Sequence, residues 1–264
     1  MSRTVAIIQA RISSTRLPSK VLLPLANGVI LSHVCRRTMG AVDEVVIATT
    51  VNSADNTIVE WANANNIAHF RGSEDDVLDR YYRAAIAYKA DTVVRITSDC
   101  PCIDTEVIAG AVDMFNSSNV DYVSNTQDRT FPHGLDVEVF SLSALERAWR
   151  EATAQNHREH VTPYLYRSGL FSCKDYIDDS NNAAIRVTVD TPEDYTVICA
   201  IYDLLGEKFT HRELIALFSK YKWLQRINKD IIQKKVYNNI EEERIDAYEL
   251  LMRSGMYEIA ARIK

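Results

Sequence analysis

Between residues 9 and 22, three cations (Arg11, Arg16 and Lys20) are interleaved with the small hydroxyl residues Ser13, Ser14 and Thr15. Guanidinium forks, an ammonium, hydroxyls and backbone N–H groups in one loop could together wrap a triphosphate. It is not a Walker A loop, because the GxxxxGK(S/T) pattern is absent; a solvated basic loop would have the same composition. Two acids stand far along the chain. Asp99 follows Thr97-Ser98, and Asp190 follows Val187-Thr188-Val189. A carboxylate in such a place can hold Mg2+, a hard cation that takes oxygen ligands and keeps part of its water shell. Two acids converging from separate strand ends could clamp a metal on a phosphate group. Each could equally cap a helix, and for Asp190 that alternative is strong because Thr191-Pro192 follows it.

Two further stretches carry polar groups. His133, Asp136 and Glu138 surround Gly134, which lets the backbone pass close to a ligand. In a strand, Asp136 and Glu138 would point the same way. His157, Arg158 and His160 open a helix that runs on through Thr162-Pro163-Tyr164, with both histidines on one face. HExxH is absent, so a polar acceptor site for an anionic or hydroxylated substrate is favoured over a metal pair; a capped surface helix is the plain alternative. Cys100 and Cys102 are separated by one residue and no second pair exists, so neither zinc nor a CxxC redox site is expected.

These groups need a scaffold. Residues 4–8 form a short apolar run that reads as a buried strand, residues 30–39 as a helix stopped by Gly40, and residues 44–49 as the second strand. Residues 57–65 read as a helix. Ser73 is the expected cap of the next helix, with Val77, Leu78, Tyr81, Ala84, Ala85 and Tyr88 as its apolar stripe. Residues 92–97 are the third strand. Continuous apolar strands alternating with helices predict a parallel sheet covered on both faces. The basic loop and Asp99 then both leave the C-terminal ends of strands, where open α/β sheets bind ligands. Farther on, residues 135–140 and 184–189 read as strands, Ser143 as the cap of a helix, and Thr191-Pro192 as the start of another. From Thr210 onward the pattern is helical throughout. The division expected is a domain over residues 1–206 and a helical extension over residues 207–264.

Composition narrows the class. The chain has 264 residues, 47% hydrophobic, with a net charge of −6. That charge argues against nonspecific nucleic-acid binding. It is uneven: residues 207–264 hold 12 basic and 9 acidic residues, a net of +3, and the rest carries −9. No apolar run approaches the roughly 20 residues of a membrane-spanning helix. The first residues reach polar Gln9 too soon for a signal peptide. Five cysteines, an odd number, fit a reducing, cytoplasmic home.

Six blocks then occur in order: IIQARISSTRLPSKVL, RGSEDDVLDRYY, VRITSDCPCID, FPHGLDVEVFSLSALERAW, REHVTPYLY and RVTVDTPEDY. Their series resembles the cytidylyltransferases related to spore-coat polysaccharide biosynthesis protein F, relatives of the CMP-sialate and CMP-Kdo synthetases. The resemblance covers about the first 205 residues. It implies a Rossmann-like α/β fold of the nucleotide-diphospho-sugar-transferase type, with a mostly parallel sheet and a helical C-terminal extension. It also implies a homodimer and an Mg2+-dependent transfer of CMP from CTP to a sugar acid or phosphorylated acceptor, releasing pyrophosphate. On that basis Ala10, Arg11, Arg16, Lys20, Ser73, Asp75 and Asp76 would hold the nucleotide. Asp99 and Asp190 would bind the metal, and Arg16, Lys20 and Asp99 would carry catalysis. His133, Asp136, Glu138, Arg158 and His160 would face the acceptor. Ser98 stands where those relatives usually have glycine. Alternatives are another nucleotide, GTP or UTP, on a sugar phosphate, or a partner subunit that binds nucleotide sugars without chemistry.

Overall fold

The computed structural model describes residues 2–231 and 240–263. In chain order the elements are β1 (Thr4–Gln9), β2 (Pro24–Leu25), β3 (Gly28–Val29), α1 (Ile30–Thr38), β4 (Glu44–Thr50), α2 (Asn56–Ala64), β5 (Ala68–Gly72), α3 (Val77–Ala87) and β6 (Thr92–Thr97). There follow α4 (Thr105–Ser117), β7 (Tyr122–Ser124), β8 (Glu138–Ser141), α5 (Leu142–Glu151), α6 (Gln155–His160), α7 (Pro163–Arg167) and β9 (Cys173–Asp175). The chain continues through α8 (Pro192–Leu205), α9 (His211–Lys220), α10 (Leu224–Ile227), α11 (Ile240–Arg253) and α12 (Tyr257–Ile263).

Seven strands form one sheet in the order β5-β4-β1-β6-β8-β7-β9. Strands β5, β4, β1 and β6 are mutually parallel, β8 runs antiparallel to both neighbours, and β9 is parallel to β7. The chain moves outward from β1 to β4 and β5, then returns to place β6 on the other side of β1. That reversal makes a crevice at the C-terminal ends of β1 and β6, the switch point at which open α/β sheets take ligands.

Alternation along each strand fills two cores. Ala6, Ile8, Ile47, Val94, Ile96 and Val139 face a layer built from α1, α2, α4, α8 and α9. Val5, Ile7, Val46, Val93, Tyr122 and Phe140 face α3, α5 and α7. Leu214, Leu217, Phe218 and Leu224 of α9 and α10 belong to the first of these cores. The expected mostly parallel α/β sheet, covered on both faces, is therefore present.

The helix starts follow local chemistry. Thr191 caps α8 through a reciprocal bond with Asp194, with Pro192 in the first turn. Thr210 and Glu213 do the same for α9. Other expected boundaries shift. Asp76, not Ser73, caps α3, and Ser73 Oγ instead accepts from the Asp76 N–H. Ser141, not Ser143, caps α5; the two hydroxyls lie 3.0 Å apart and only the first sits at the bend out of β8. The helix expected to run from His157 through Tyr164 is two short ones, α6 and α7. Val161, between them, has a φ of 72°, which no continuous helix tolerates.

Two expected strands are also corrected. Strand β8 begins at Glu138, so residues 135–137 are loop. Residues 184–189 form no strand: Ala184 lies in a turn, and the segment makes only an isolated bridge, between Arg186 and His133. Their backbone bonds loops instead. His133 N–H donates to Ile185 O (2.8 Å), Val187 N–H to His133 O (2.7 Å), and Val189 N–H to Asp99 O (2.8 Å). Part of the helical tail, residues 232–239, lies outside the described residues.

Candidate active site

The basic loop leaves β1 and is pinned before it turns. Asp55, buried behind the end of β4, accepts from the Ile12 N–H at 2.7 Å with one oxygen and from Thr50 with the other. Val21 is buried one residue beyond Lys20 and anchors the far side. Ser19 adopts a left-handed φ of 56°, which turns the chain so that Lys20 points back toward the sheet. Lys20 Nζ lies 2.6 Å from Asp99 Oδ2 and 2.9 Å from Asp190 Oδ1. Arg16 reaches the same Asp190 oxygen at 3.1 Å. Two acids 91 positions apart in the chain thus meet around one ammonium at the switch point.

Burial opposes charging Lys20, Asp99 and Asp190, but their partners prevail. Lys20 is raised above its ordinary value because the two carboxylates outweigh its desolvation. Asp99 and Asp190 are held below the usual carboxylate range, burial being overcome chiefly by Lys20. All three are charged at neutral pH. Helix capping does not account for either acid: Thr191 caps α8 and Asp104 caps α4. Asp190 is presented by the segment ending at Val189, because that segment is bonded to the Asp99 loop on one side and to the His133 turn on the other. Gly134 permits this packing. Its φ is +109°, and a Cβ there would lie 2.6 Å from the Val187 carbonyl carbon. The backbone it lets pass is the chain's own, not a ligand's.

The other expected residues fall into separate groups. Arg11 pairs with Glu74 (3.1 Å), which also accepts from Ser13 (2.8 Å) and Asn52. This cluster gathers the ends of β1, β4 and β5 beside Ser73 and exposed Asp75. Ala10 is buried, with its N–H bonded to Ala48 O. His133 and Asp136 lie together beside the Asp99 loop, and Arg129 forks onto Asp136 at 2.5 and 3.0 Å. Burial, ahead of the opposing field of Asp136, lowers the His133 imidazole below its ordinary value. Glu138 is buried against Arg95 and Tyr122. Arg158 pairs with Asp76 and bonds the carbonyls of Trp149 and Ala152, which puts it on the α3 side and away from His133. His160 ends α6, and His157 packs on the Tyr164 ring at 5.7 Å. Asp136 stands before the first residue of β8, and the two acids have different partners, Arg129 for Asp136 and Arg95 with Tyr122 for Glu138.

Sequence reasoning did not single out Asp55, Glu74, Arg129, Arg186 or Asn228. Asp55, Glu74 and Asn228 have partners remote in the chain, whereas Arg129 and Arg186 stand within eight positions of the acids they fork onto, and that nearness was the signal available for them. Cys100 and Cys102 are buried and unbonded to one another, and burial pushes the Cys102 thiol up to about 12. Among the described residues no group of three or more His, Cys, Asp or Glu could hold a metal. The two carboxylates at Lys20 do match the donor set of Mg2+, which is commonly held by one or two carboxylates, waters and substrate phosphates. No helix among the described residues is long and apolar enough to cross a membrane.

The family described as Cytidylyltransferase matches residues 5–245 of this chain. The match runs past residue 205, the expected extent of the resemblance, and into α11. Spore coat polysaccharide biosynthesis protein SpsF of Bacillus subtilis is 31% identical over 232 residues, covering 83% of this chain and 95% of that protein. A 3-deoxy-manno-octulosonate cytidylyltransferase of Mesorhizobium japonicum is 30% identical over 188 residues, 62% of this chain and 74% of that one. The solved structure of a cytidylyltransferase from Leptospira borgpetersenii is similar with a TM-score of 0.81 at 32% identity, covering 89% of this chain and 100% of that chain.

Proposed function

The chain belongs to the cytidylyltransferase family and is a nucleotidyltransferase, and from that premise we propose that it joins CMP from CTP to a sugar acid or related acceptor. The observation that carries the reading is the meeting of Lys20, Asp99 and Asp190 at the switch point of the sheet. The 30% identity to a 3-deoxy-manno-octulosonate cytidylyltransferase supports the sugar-acid class.

In the proposed reaction an acceptor oxygen attacks the α-phosphorus in line. The new P–O bond forms as the bond to the β-phosphate bridging oxygen breaks, and pyrophosphate leaves. Little covalent work falls to the protein, so positioning and charge neutralisation carry the rate. Arg11, Arg16 and Lys20 bind the triphosphate, exchanging their carboxylate partners for phosphate oxygens. Ser73, Asp75 and Asp76, with Ala10 beneath the loop, border the nucleoside. Asp99 and Asp190 are the residues that would hold Mg2+, which when bound neutralises charge on the phosphates and polarises the α-phosphoryl group. His133 and Asp136 face the acceptor. A lowered imidazole is neutral at pH 7 and can accept the hydroxyl proton.

The test is pyrophosphate release with each of the four nucleoside triphosphates, Mg2+ and a panel of sugar acids and sugar phosphates. CTP with a sugar acid is expected to give turnover and the largest thermal shift, since a ligand that binds only the folded state stabilises it. Turnover confined to GTP or UTP, or binding without release for every acceptor, overturns the reading.

A further inference from the structure

We infer that Arg186, Asp194 and Asn228 form one positioning unit for Asp190, so that the segment after α9 takes part in the reaction centre. The inference rests on the nucleotidyltransferase reading above and concerns how Asp190 is held. Asp194 is wholly buried. A buried carboxylate is tolerated only when paired and fully hydrogen-bonded, and this one is. Its Oδ1 accepts from Arg186 Nε (2.8 Å) and Asn228 Nδ2 (2.9 Å). Its Oδ2 accepts from Arg186 Nη2 (2.9 Å) and from the N–H groups of Asp190 (3.0 Å) and Thr191 (3.2 Å). A fork onto both oxygens fixes the plane of the guanidinium.

That plane decides what Asp190 presents. Arg186 Nη2 also reaches Asp190 Oδ2 at 2.9 Å. Oδ1 is left toward Lys20 and Arg16. The backbone N–H of Asp190 is bonded to the same buried carboxylate, so main chain and side chain share one anchor. Asn228 closes the unit. Its Nδ2 donates to Asp194 Oδ1 and to the Arg186 carbonyl at 3.1 Å, tying both ends of the span from 186 to 194. Only 2% of Asn228 is exposed, at the end of α10. Groups standing behind a ligating side chain typically change metal affinity or activity by about 10–100-fold when removed.

The experiment compares wild type with Asn228→Ala, Arg186→Lys and Arg186→Gln. It measures kcat and KM for pyrophosphate release, and Mn2+ binding in the presence of CTP without acceptor, read by electron paramagnetic resonance. Melting temperature and circular dichroism report the fold. Positioning predicts folded variants with Mn2+ affinity and kcat lowered about 10–100-fold and KM for CTP within about 3-fold. Arg186→Lys keeps the charge but not the fork, and is expected to be as impaired as Arg186→Gln. Folded variants that melt lower yet bind Mn2+ and turn over as wild type does would overturn the proposal. Should Asn228→Ala not fold, Arg186→Lys decides by the same two readouts. A wild type that binds no Mn2+ with CTP defeats the underlying reading and this inference with it. Tight wild-type binding matched by the variants defeats the inference alone.

Discussion

Lys20 carries one positive charge between two carboxylates, and each acid stays ionised because that ammonium offsets its burial. Changing Asp99 to Asn keeps the shape and removes the charge. With the fold unchanged by circular dichroism, pyrophosphate release should fall about 10²–10³-fold, on the order of 3–4 kcal/mol, as for the loss of one electrostatic contact to a transition state. Turnover equal to wild type would refute the role given to Asp99. Asp136 supports a pH prediction. Burial works against its charge, but the Arg129 fork prevails and holds the carboxyl below its ordinary range. Its stabilisation is therefore complete above the unfolded value near about 3.9 and is lost as pH falls through the lower folded value. Thermal melts of Asp136→Asn should show a shallower loss of stability below about pH 4 than wild type. Parallel acid limbs for the two proteins would contradict this.

At the scale of elements, the segment of residues 184–189 decides where Asp190 stands. Its residues read as a strand, but it joins no sheet and makes a single bridge. Its hydrogen bonds go to the His133 turn and the Asp99 loop because those loops, not a strand edge, lie beside it. Gly134 is the contact that admits it. An alanine there would meet the Val187–Thr188 backbone under 3 Å and would have to hold a φ of +109°. Gly134→Ala should destabilise the fold by at least about 2 kcal/mol and lower turnover further by displacing Asp190. A melting temperature unchanged from wild type, followed by differential scanning calorimetry, would sink this account. Strand β6 falls where its apolar run places it, and α1 ends within a residue of the expected boundary before Gly40, since a continuous β-branched run and a helix stop are local signals. Strands β7 and β9 carry three residues each, too few for any period to register.

For the whole molecule, the tail divides into two unequal parts. Leu214, Leu217, Phe218 and Leu224 lie in the core under the sheet, each worth on the order of 1.5–3 kcal/mol when buried. Asn228 adds its bonds to Asp194 and Arg186. Helices α11 and α12, by contrast, place only Ala260 among the buried hydrophobic residues that the structure describes. A chain ended after Leu205 should fail to fold cooperatively. One ended after Ile231 should keep its melting transition within a few degrees and its turnover within about 2-fold. Loss of the transition in the longer truncation, seen by circular dichroism, would show that α11 and α12 hold the body together.

The amino-acid order alone determined the strand–helix alternation, the placing of the basic loop and Asp99 at strand ends, the capping of α8, and the motif series that resembles a family. These are local properties: periodicity, caps and contiguous blocks act over a few residues and need no partner. Tertiary structure alone decided that Asp99 and Asp190 meet on one ammonium, that Glu138 is committed to Arg95 and Arg158 to Asp76, and that Asn228 stands behind Asp190. Those pairings join residues tens of positions apart. Which carboxylate a cation meets depends on how the sheet and its loops bring distant chain together, and no spacing rule encodes that distance.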